Sequence, residues 1–283
     1  MVSAFRIITY LTHYLSAWNT GGEGIHSPYL FYLVRMLMYD ENKYYVWDAI
    51  EQQRRTLLSD NHCITVTDYG TGHMRKAQRT VAHIARTSLE NARIAQLLFR
   101  WIVFLSHQAQ RPLHILELGT SLGITTAYLA TANSRNQIVT LEGSPETLHI
   151  AQKIWKDLHI KNIQSVEGNI DDLLSPLAQR SSTTASDASN FTEDLPLLHP
   201  LDMVFFDANH TYDATLRYWN TLLPYHHDKS VFVLDDIHLS PQMQAAWQAI
   251  QRHPAVTSTF DLYRIGVVFF DPHFLHKHYR LRY

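Results

Sequence analysis

Five acidic residues stand at or near the ends of short apolar runs: Glu117, Glu142, Asp207, Asp235 and Asp236. Glu117 lies in Ile115-Leu116-Glu117-Leu118-Gly119-Thr120-Ser121-Leu122-Gly123. Gly119 and Gly123 bracket a tight turn that lets backbone pass close to a ligand, and the amides opening the next helix favour an anion there. Thr120, Ser121 and Thr125 line the same bend. An acid two residues before the first glycine would repel a pyrophosphate, but it suits a ligand carrying an ammonium and a sulfonium. The spacing is Gly-x-x-x-Gly, not the Gly-x-Gly-x-x-Gly of a dinucleotide site. Glu142 ends the next strand, 25 residues after Glu117. An acid at that point in nucleoside-binding α/β folds accepts hydrogen bonds from ribose hydroxyls.

The other acids form a second group. Leu201 to Phe206 reads as a buried strand ended by Asp207, and Val231 to Leu234 as another ended by Asp235-Asp236. Neighbouring parallel strands bring their carboxyl ends together, and three carboxylates there repel unless a cation or proton separates them. Oxygen-only ligands suit Mg²⁺, Mn²⁺ or Ca²⁺ rather than zinc. The alternative is that Asp236 caps the helix opened by Ser240-Pro241 while Asp235 bonds backbone amides. His210 follows Asp207 by three residues, and imidazole titrates in the range useful to a general base. It also fits a helix-start histidine with no role. Tyr212, Trp219, His238 and Trp247 suit either a substrate pocket or core packing.

Glu117-Leu118-Gly119-x-x-x-Gly123 resembles the first motif of class I S-adenosylmethionine-dependent methyltransferases, and above all that of the catechol and caffeoyl-CoA O-methyltransferase group. The resemblance covers roughly residues 87–270, with the motifs in family order. It implies S-adenosylmethionine as cofactor, and Asp207 touching it as well as serving catalysis. It also places Gly168-Asn169-Ile170-Asp171 beside the adenine, with Ile170 packing on the ring and Asn169 or Asp171 bonding its edge. Thr87-Ser88-Leu89 takes the place of the loop that closes over the cofactor, and His210 that of a lysine base. Catechol-type enzymes carry Asp on the first acidic strand and Asp-Asn on the second. Asp236 departs from that pattern and resembles the Asp-Asp of macrocin-type sugar O-methyltransferases. The implied reaction is O-methylation of a small hydroxylated molecule with help from a divalent ion, Asp207, Asp235 and Asp236 being its ligands.

The elements that must position these residues alternate from residue 113 onward. Strands are expected near 113–118, 137–142, 162–167, 201–206, 230–235, 256–262 and 265–270, with helices between the first five and after the fifth. Such alternation predicts an α/β, Rossmann-like fold with a seven-stranded, mostly parallel sheet. Only Tyr263-Arg264 separates the last two strands, so they form an antiparallel hairpin. Right-handed crossovers carry the motif loops to one rim. A helix over Ser88 to Phe104, capped by Ser88, leads into the first strand. Residues 1–86 read as a helical accessory cap and 87–283 as the methyltransferase domain. Within the cap, helices are expected after Pro28 and over Asp48 to Leu58. Ile64-Thr65-Val66 looks too short for a strand. Asp68 to His73 reads as a glycine-rich connector, and Arg75, Lys76 and Arg79 as the solvated face of a helix. Residues 180–200, rich in Ser and Thr in their first half, read as a mobile insertion.

Composition limits the alternatives. With 46% hydrophobic and 18% charged residues, the 283-residue chain reads as globular rather than disordered, and no apolar run is long enough to span a membrane. Met1 to Trp18 reads as an amphipathic helix rather than a signal peptide, and the apolar amino-terminal helices offer a homodimer contact. The single cysteine, Cys63, fits a reducing, cytoplasmic compartment. The net charge of −2 does not point to nucleic acid. Residues 1–112 hold 12 basic against 8 acidic residues and residues 113–283 hold 12 against 18, so the half with the acidic motifs favours cationic ligands. His273, His276 and His278 fall in a basic, aromatic stretch read as a surface tail. A nicotinamide-dependent oxidoreductase would share the sheet but lacks its glycine fingerprint. A non-catalytic nucleoside-binding protein is the third class.

Overall fold

The computed structural model describes residues 4–17, 20–22, 24–69, 74–180 and 200–283. The chain groups into two compact units, one from Met1–Glu41 with Pro200–Tyr283 and the other from Asn42–His199. That grouping is not the division at residue 86 read from the sequence.

The first unit opens with α1 (Ala4–Ser16), an amphipathic helix whose His13 is buried. His13 Nε2 lies 3.2 Å from Asp261 Oδ1, and the Tyr263 hydroxyl donates to the Arg6 carbonyl at 2.8 Å. α2 (Pro28–Leu33) starts at Pro28, whose missing N–H costs nothing in the first turn, and the Ser27 hydroxyl accepts from Leu30 N. The helix widens to a π-turn over Val34–Met38.

The second unit begins with α3 (Tyr45–Ser59). A hairpin follows that the sequence did not announce: β1 (Cys63–Asp68) and β2 (Arg75–Thr80) pair antiparallel. Ile64 is buried in the unit's core, with Val66 packed against that core. Amides of Thr65 and Thr67 donate to the side chains of Glu146 and Ser144. Those partners are distant in sequence, so local apolar content underestimated the strand. Arg75, Lys76 and Arg79 are solvated, as expected, but on a strand and not a helix. Residues 70–73 of the glycine-rich connector lie outside the described residues.

α4 (Val81–Ser88) ends where the preceding helix of the sheet was expected to start. α5 (Ala92–Ala109) is instead capped by Asn91, whose Oδ1 accepts from Arg93 N at 2.8 Å. Leu89, extended at φ −80° and ψ 130°, breaks the chain between the two helices. Ala95, Leu98, Phe99 and Ile102 form the buried stripe of α5. Then come β3 (His114–Leu118), α6 (Ile124–Thr131), β4 (Gln137–Glu142), α7 (Pro145–Asp157), β5 (Ile163–Glu167) and α8 (Ile170–Arg180). β4 pairs in parallel with both β3 and β5. Residues 181–199, most of the expected insertion, lie outside the described residues.

The chain then returns to the first unit with β6 (Met203–Phe206), α9 (Tyr212–Leu222), β7 (Val231–Leu234), α10 (Pro241–Gln251), β8 (Ser258–Asp261), β9 (Gly266–Phe269) and β10 (Lys277–Arg280). β7 runs parallel to β6 and antiparallel to β9, and β8 closes the hairpin with β9. All seven expected strands are present. β10 adds an eighth among the described residues after 113, pairing in parallel with β8. The segment read as a surface tail is therefore partly sheet. Its histidines hid the fact that Tyr279 and Leu281 are buried on alternate positions, while His278 Nδ1 stays 3.0 Å from Thr259 Oγ1. The architecture is an α/β fold with a mostly parallel sheet, an antiparallel hairpin near its carboxyl end and helices ahead of it. No helix among the described residues is long and apolar enough to cross a membrane.

Candidate functional site

In the second unit, strand pairing sets Glu117 opposite Thr140. Glu117 is fully buried. One of its oxygens, Oε2, accepts from Thr126 Oγ1 at 2.5 Å and from Thr140 Oγ1 at 2.6 Å, and Thr120 Oγ1 lies 2.6 Å from Thr140 Oγ1. The other, Oε1, has no hydrogen-bond partner among the described residues. Removal from water pushes this carboxyl up to about 7, against the pull of the two hydroxyls. A buried acid held on one side and unmatched on the other is prepared for a positive charge.

The bend after β3 is tightly fitted. Gly123 has φ +73°, and a β-carbon there would come within 2.6 Å of Ala151 Cβ and 2.8 Å of Trp155 Nε1. The Trp155 indole donates to the Gly123 carbonyl at 2.8 Å. Only glycine meets both demands. At the end of β4, Glu142 accepts from Ser121 N at 2.7 Å through Oε2 and from Ser144 N at 2.9 Å through Oε1. It thus ties the bend after β3 to the loop after β4. Burial raises its pKa, partly opposed by those amides. Gly119 and Thr120 donate from their backbones to Leu141 O, and Thr125 is buried at the start of α6. Gly168 N donates to Glu142 O, while Asn169 organises the start of α8, its Oδ1 accepting from Asp171 N and its Nδ2 donating to Asp172. Ile170 is half-buried there. The structure thus gathers Glu117, Gly119, Thr120, Ser121, Gly123, Thr125 and Glu142 around one bend, which Gly168 joins to the Asn169 loop. The hydroxyls of Thr126 and Thr140 were missed. Thr126 was readable only as one of three threonines on a short helix of otherwise apolar residues, and Thr140 depended on strand register.

In the first unit, the ends of β6 and β7 bring Asp207, His210 and Asp235 together, with one ligand atom from each within 4.8 Å of the other two. Asp235 N donates to Phe206 O, extending the parallel pairing to the strand tips. Asn209 turns at φ +47°, and His210 Nε2 comes 3.6 Å from Asp207 Oδ1. Asp236 lies outside this trio. Its φ is +51°, and its Oδ1 is 3.8 Å from Arg264 Nη1, while Nη2 of the same arginine is 3.7 Å from Asp235 Oδ2. It does not cap α10 either, for Ser240 Oγ accepts from Met243 N. The sequence assigned His210 only a proton-transfer role and missed its place among groups able to hold an ion. Trp219 and Trp247 are core residues, and His238 Nε2 is engaged by Asp261 at 3.0 Å. Tyr212 remains exposed.

Residues 116–237 match a family model described as a methyltransferase domain. The matched stretch contains both groups of acids, from Glu117 to Asp236. Among solved structures, the O-methyltransferase TomG from Streptomyces achromogenes, in complex with SAM, has 17% identity and a TM-score of 0.54, over 81% of this chain and 91% of its own. An O-methyltransferase from Bacillus cereus, in complex with SAH, has 16% identity and a TM-score of 0.52, over 84% and 95%. These likenesses show a shared fold. No curated protein sequence matches the chain.

Proposed function

We propose that this chain is an S-adenosylmethionine-dependent methyltransferase acting on an oxygen of a small hydroxylated molecule, with a divalent ion assisting. One observation carries the reading: inside a stretch matching a methyltransferase domain, a fully buried Glu117 keeps one oxygen without a partner among the described residues. A dinucleotide pyrophosphate would meet repulsion there, whereas a cationic sulfur nucleoside would not. In this reading the Gly119–Gly123 backbone cradles the cofactor, Glu117 supplies the negative charge, Glu142 takes ribose hydroxyls, and Asn169, Ile170 and Asp171 contact the base. Asp207 and Asp235 offer two carboxylates, which suit Mg²⁺ or Mn²⁺, whereas the imidazole of His210 is a donor such hard ions take less readily.

Bound cofactor supplies an electrophilic methyl group, and a bound divalent ion favours the deprotonated form of an acceptor hydroxyl. The chain's own tasks are to hold both and to take up the hydroxyl proton. His210 cannot give the same nitrogen to an ion and to a proton, so its role divides two versions of the reaction. Arg264, beside Asp235 and Asp236, supports the second version: its guanidinium already offsets part of the acidic charge, leaving His210 as the base without metal. Calorimetry with S-adenosylhomocysteine and with NAD tests the cofactor, and binding of NAD alone would remove the whole reading. A methyl-transfer screen over phenols, diols and sugars, run with Mg²⁺ and with excess chelator, separates the versions. Under the first, chelator abolishes turnover; under the second, turnover persists and His210→Ala removes it.

A further inference from the structure

Gly143 directly follows Glu142 and leaves bare backbone at the carboxyl end of β4. A β-carbon at this position would lie 2.8 Å from Tyr69 Cδ2, 3.0 Å from Tyr69 Cε2 and 3.8 Å from the Gly168 carbonyl oxygen. The ring of Tyr69 therefore rests against Gly143, close to the start of the loop after β5. No positive φ constrains Gly143; what excludes a side chain is the tyrosine. Tyr69 arrives there from the end of β1, and β1 is moored to the same loop. Thr67 N donates to Ser144 Oγ at 3.2 Å and Thr65 N to Glu146 Oε2 at 2.8 Å, while Ser144 N is held by Glu142. Tyr69 as a whole is only partly buried.

We infer that Tyr69 forms the aromatic wall against which the purine of the cofactor stacks, filling from the β1–β2 hairpin the place that a side chain at 143 would otherwise occupy. The inference rests on the reading of Glu142 as the ribose-binding acid. On that reading Tyr69 stands between the residue that takes the sugar and the Gly168-Asn169-Ile170 loop that meets the base. An aromatic face there offers stacking to a nucleobase. It also gives the hairpin, which carries none of the expected catalytic residues, a direct part in binding.

Calorimetry on the full chain tests this with S-adenosylhomocysteine and adenosine as probes. Tyr69→Ala is expected to weaken both by a similar factor, about 10- to 50-fold, because the two share the base, while Tyr69→Phe stays within about twofold of the parent. Gly143→Ala is expected to weaken both probes in the parent, where the ring must move, and to have no further effect in the Tyr69→Ala background. Parental affinity in Tyr69→Ala, a loss in Tyr69→Phe equal to that in Tyr69→Ala, or a loss for S-adenosylhomocysteine without one for adenosine would each overturn the inference while leaving the cofactor reading intact. A parent chain that binds neither probe removes both. Thermal melting of each variant identifies a loss caused by unfolding, and Tyr69→Leu, which keeps an apolar contact without a π-face, then decides: it must fall well below Tyr69→Phe.

Discussion

The bend after β3 and the acidic tips of β6 and β7 hold charge in opposite ways. In the bend, Glu117 is withdrawn from water, and the hydrogen-bond donors to Glu117 and Glu142 are neutral, two threonine hydroxyls for one and two serine amides for the other, while the two acids repel each other. At the strand tips, the Asp207 and His210 side chains keep 16% and 27% of their exposure, and the neighbours are themselves ionisable, Arg264 included. Neutral donors fix an acid's position without cancelling its charge, so the bend retains a net demand for a cation. Ionisable neighbours balance charge, so the second group can be satisfied by a metal, an arginine or a proton. The first region holds a fixed, uncompensated charge, and the second is an adjustable charge cluster.

Breaking each region in turn sharpens that contrast. The largest effect is expected for Asp235→Ala. Mn²⁺ binding followed by calorimetry is lost and methyl transfer falls about 1,000-fold, while S-adenosylhomocysteine affinity holds within about threefold. A parallel loss of cofactor affinity would erase the distinction between the two regions. Next is Glu117→Gln, which keeps an oxygen for Thr126 and Thr140 but removes the buried charge. The folded carboxyl titrates near 7 against an ordinary 4.5, so the stability associated with its protonated form is complete below about pH 4.5 and is lost as pH rises through 7. Urea unfolding should therefore show the variant more stable than the parent by up to about 3 kcal/mol at pH 8 and no more stable at pH 4. The same variant should bind S-adenosylhomocysteine more weakly at pH 8. A stability difference independent of pH would mean that Glu117 ionises as readily in the folded chain as in the unfolded one.

Glu142→Ala comes third. It leaves the Ser121 and Ser144 amides without their acceptor and removes the proposed ribose partner, for an expected loss of about 100-fold in S-adenosylhomocysteine affinity. Mn²⁺ binding should be unaffected, and a shift there would show that the regions are not independent. The smallest effect is expected for Asp236→Ala, which lies outside the Asp207, His210 and Asp235 trio. Metal affinity and turnover should each change less than about threefold. A larger loss would return Asp236 to the ligand set that its sequence position suggested.

Much of the fold was legible because its signals are local. Short apolar runs ended by acids marked β3, β4, β6 and β7, and the Gly119–Gly123 spacing marked the bend. The misses share one cause. β1 is a strand because β2 pairs with it and Ser144 and Glu146 hold its amides, β10 because β8 pairs with it, and α5 is capped at Asn91 because Leu89 is extended. In each case the deciding contact is remote in sequence or depends on a backbone angle that composition does not encode. The same holds at the site. His210 could be seen as a titratable group three residues after Asp207, but the turn at Asn209 is what sets it beside Asp235.

The amino-acid order alone determined which residues could carry charge at strand ends and where the backbone needed glycine, because strand periodicity and turn chemistry act over a few residues. Tertiary structure decided which of those charges meet, which are buried, and which are offset. Burial, strand register and the approach of Tyr69 to Gly143 depend on chain segments tens of residues apart, and the free energy of a buried charge follows from those neighbours.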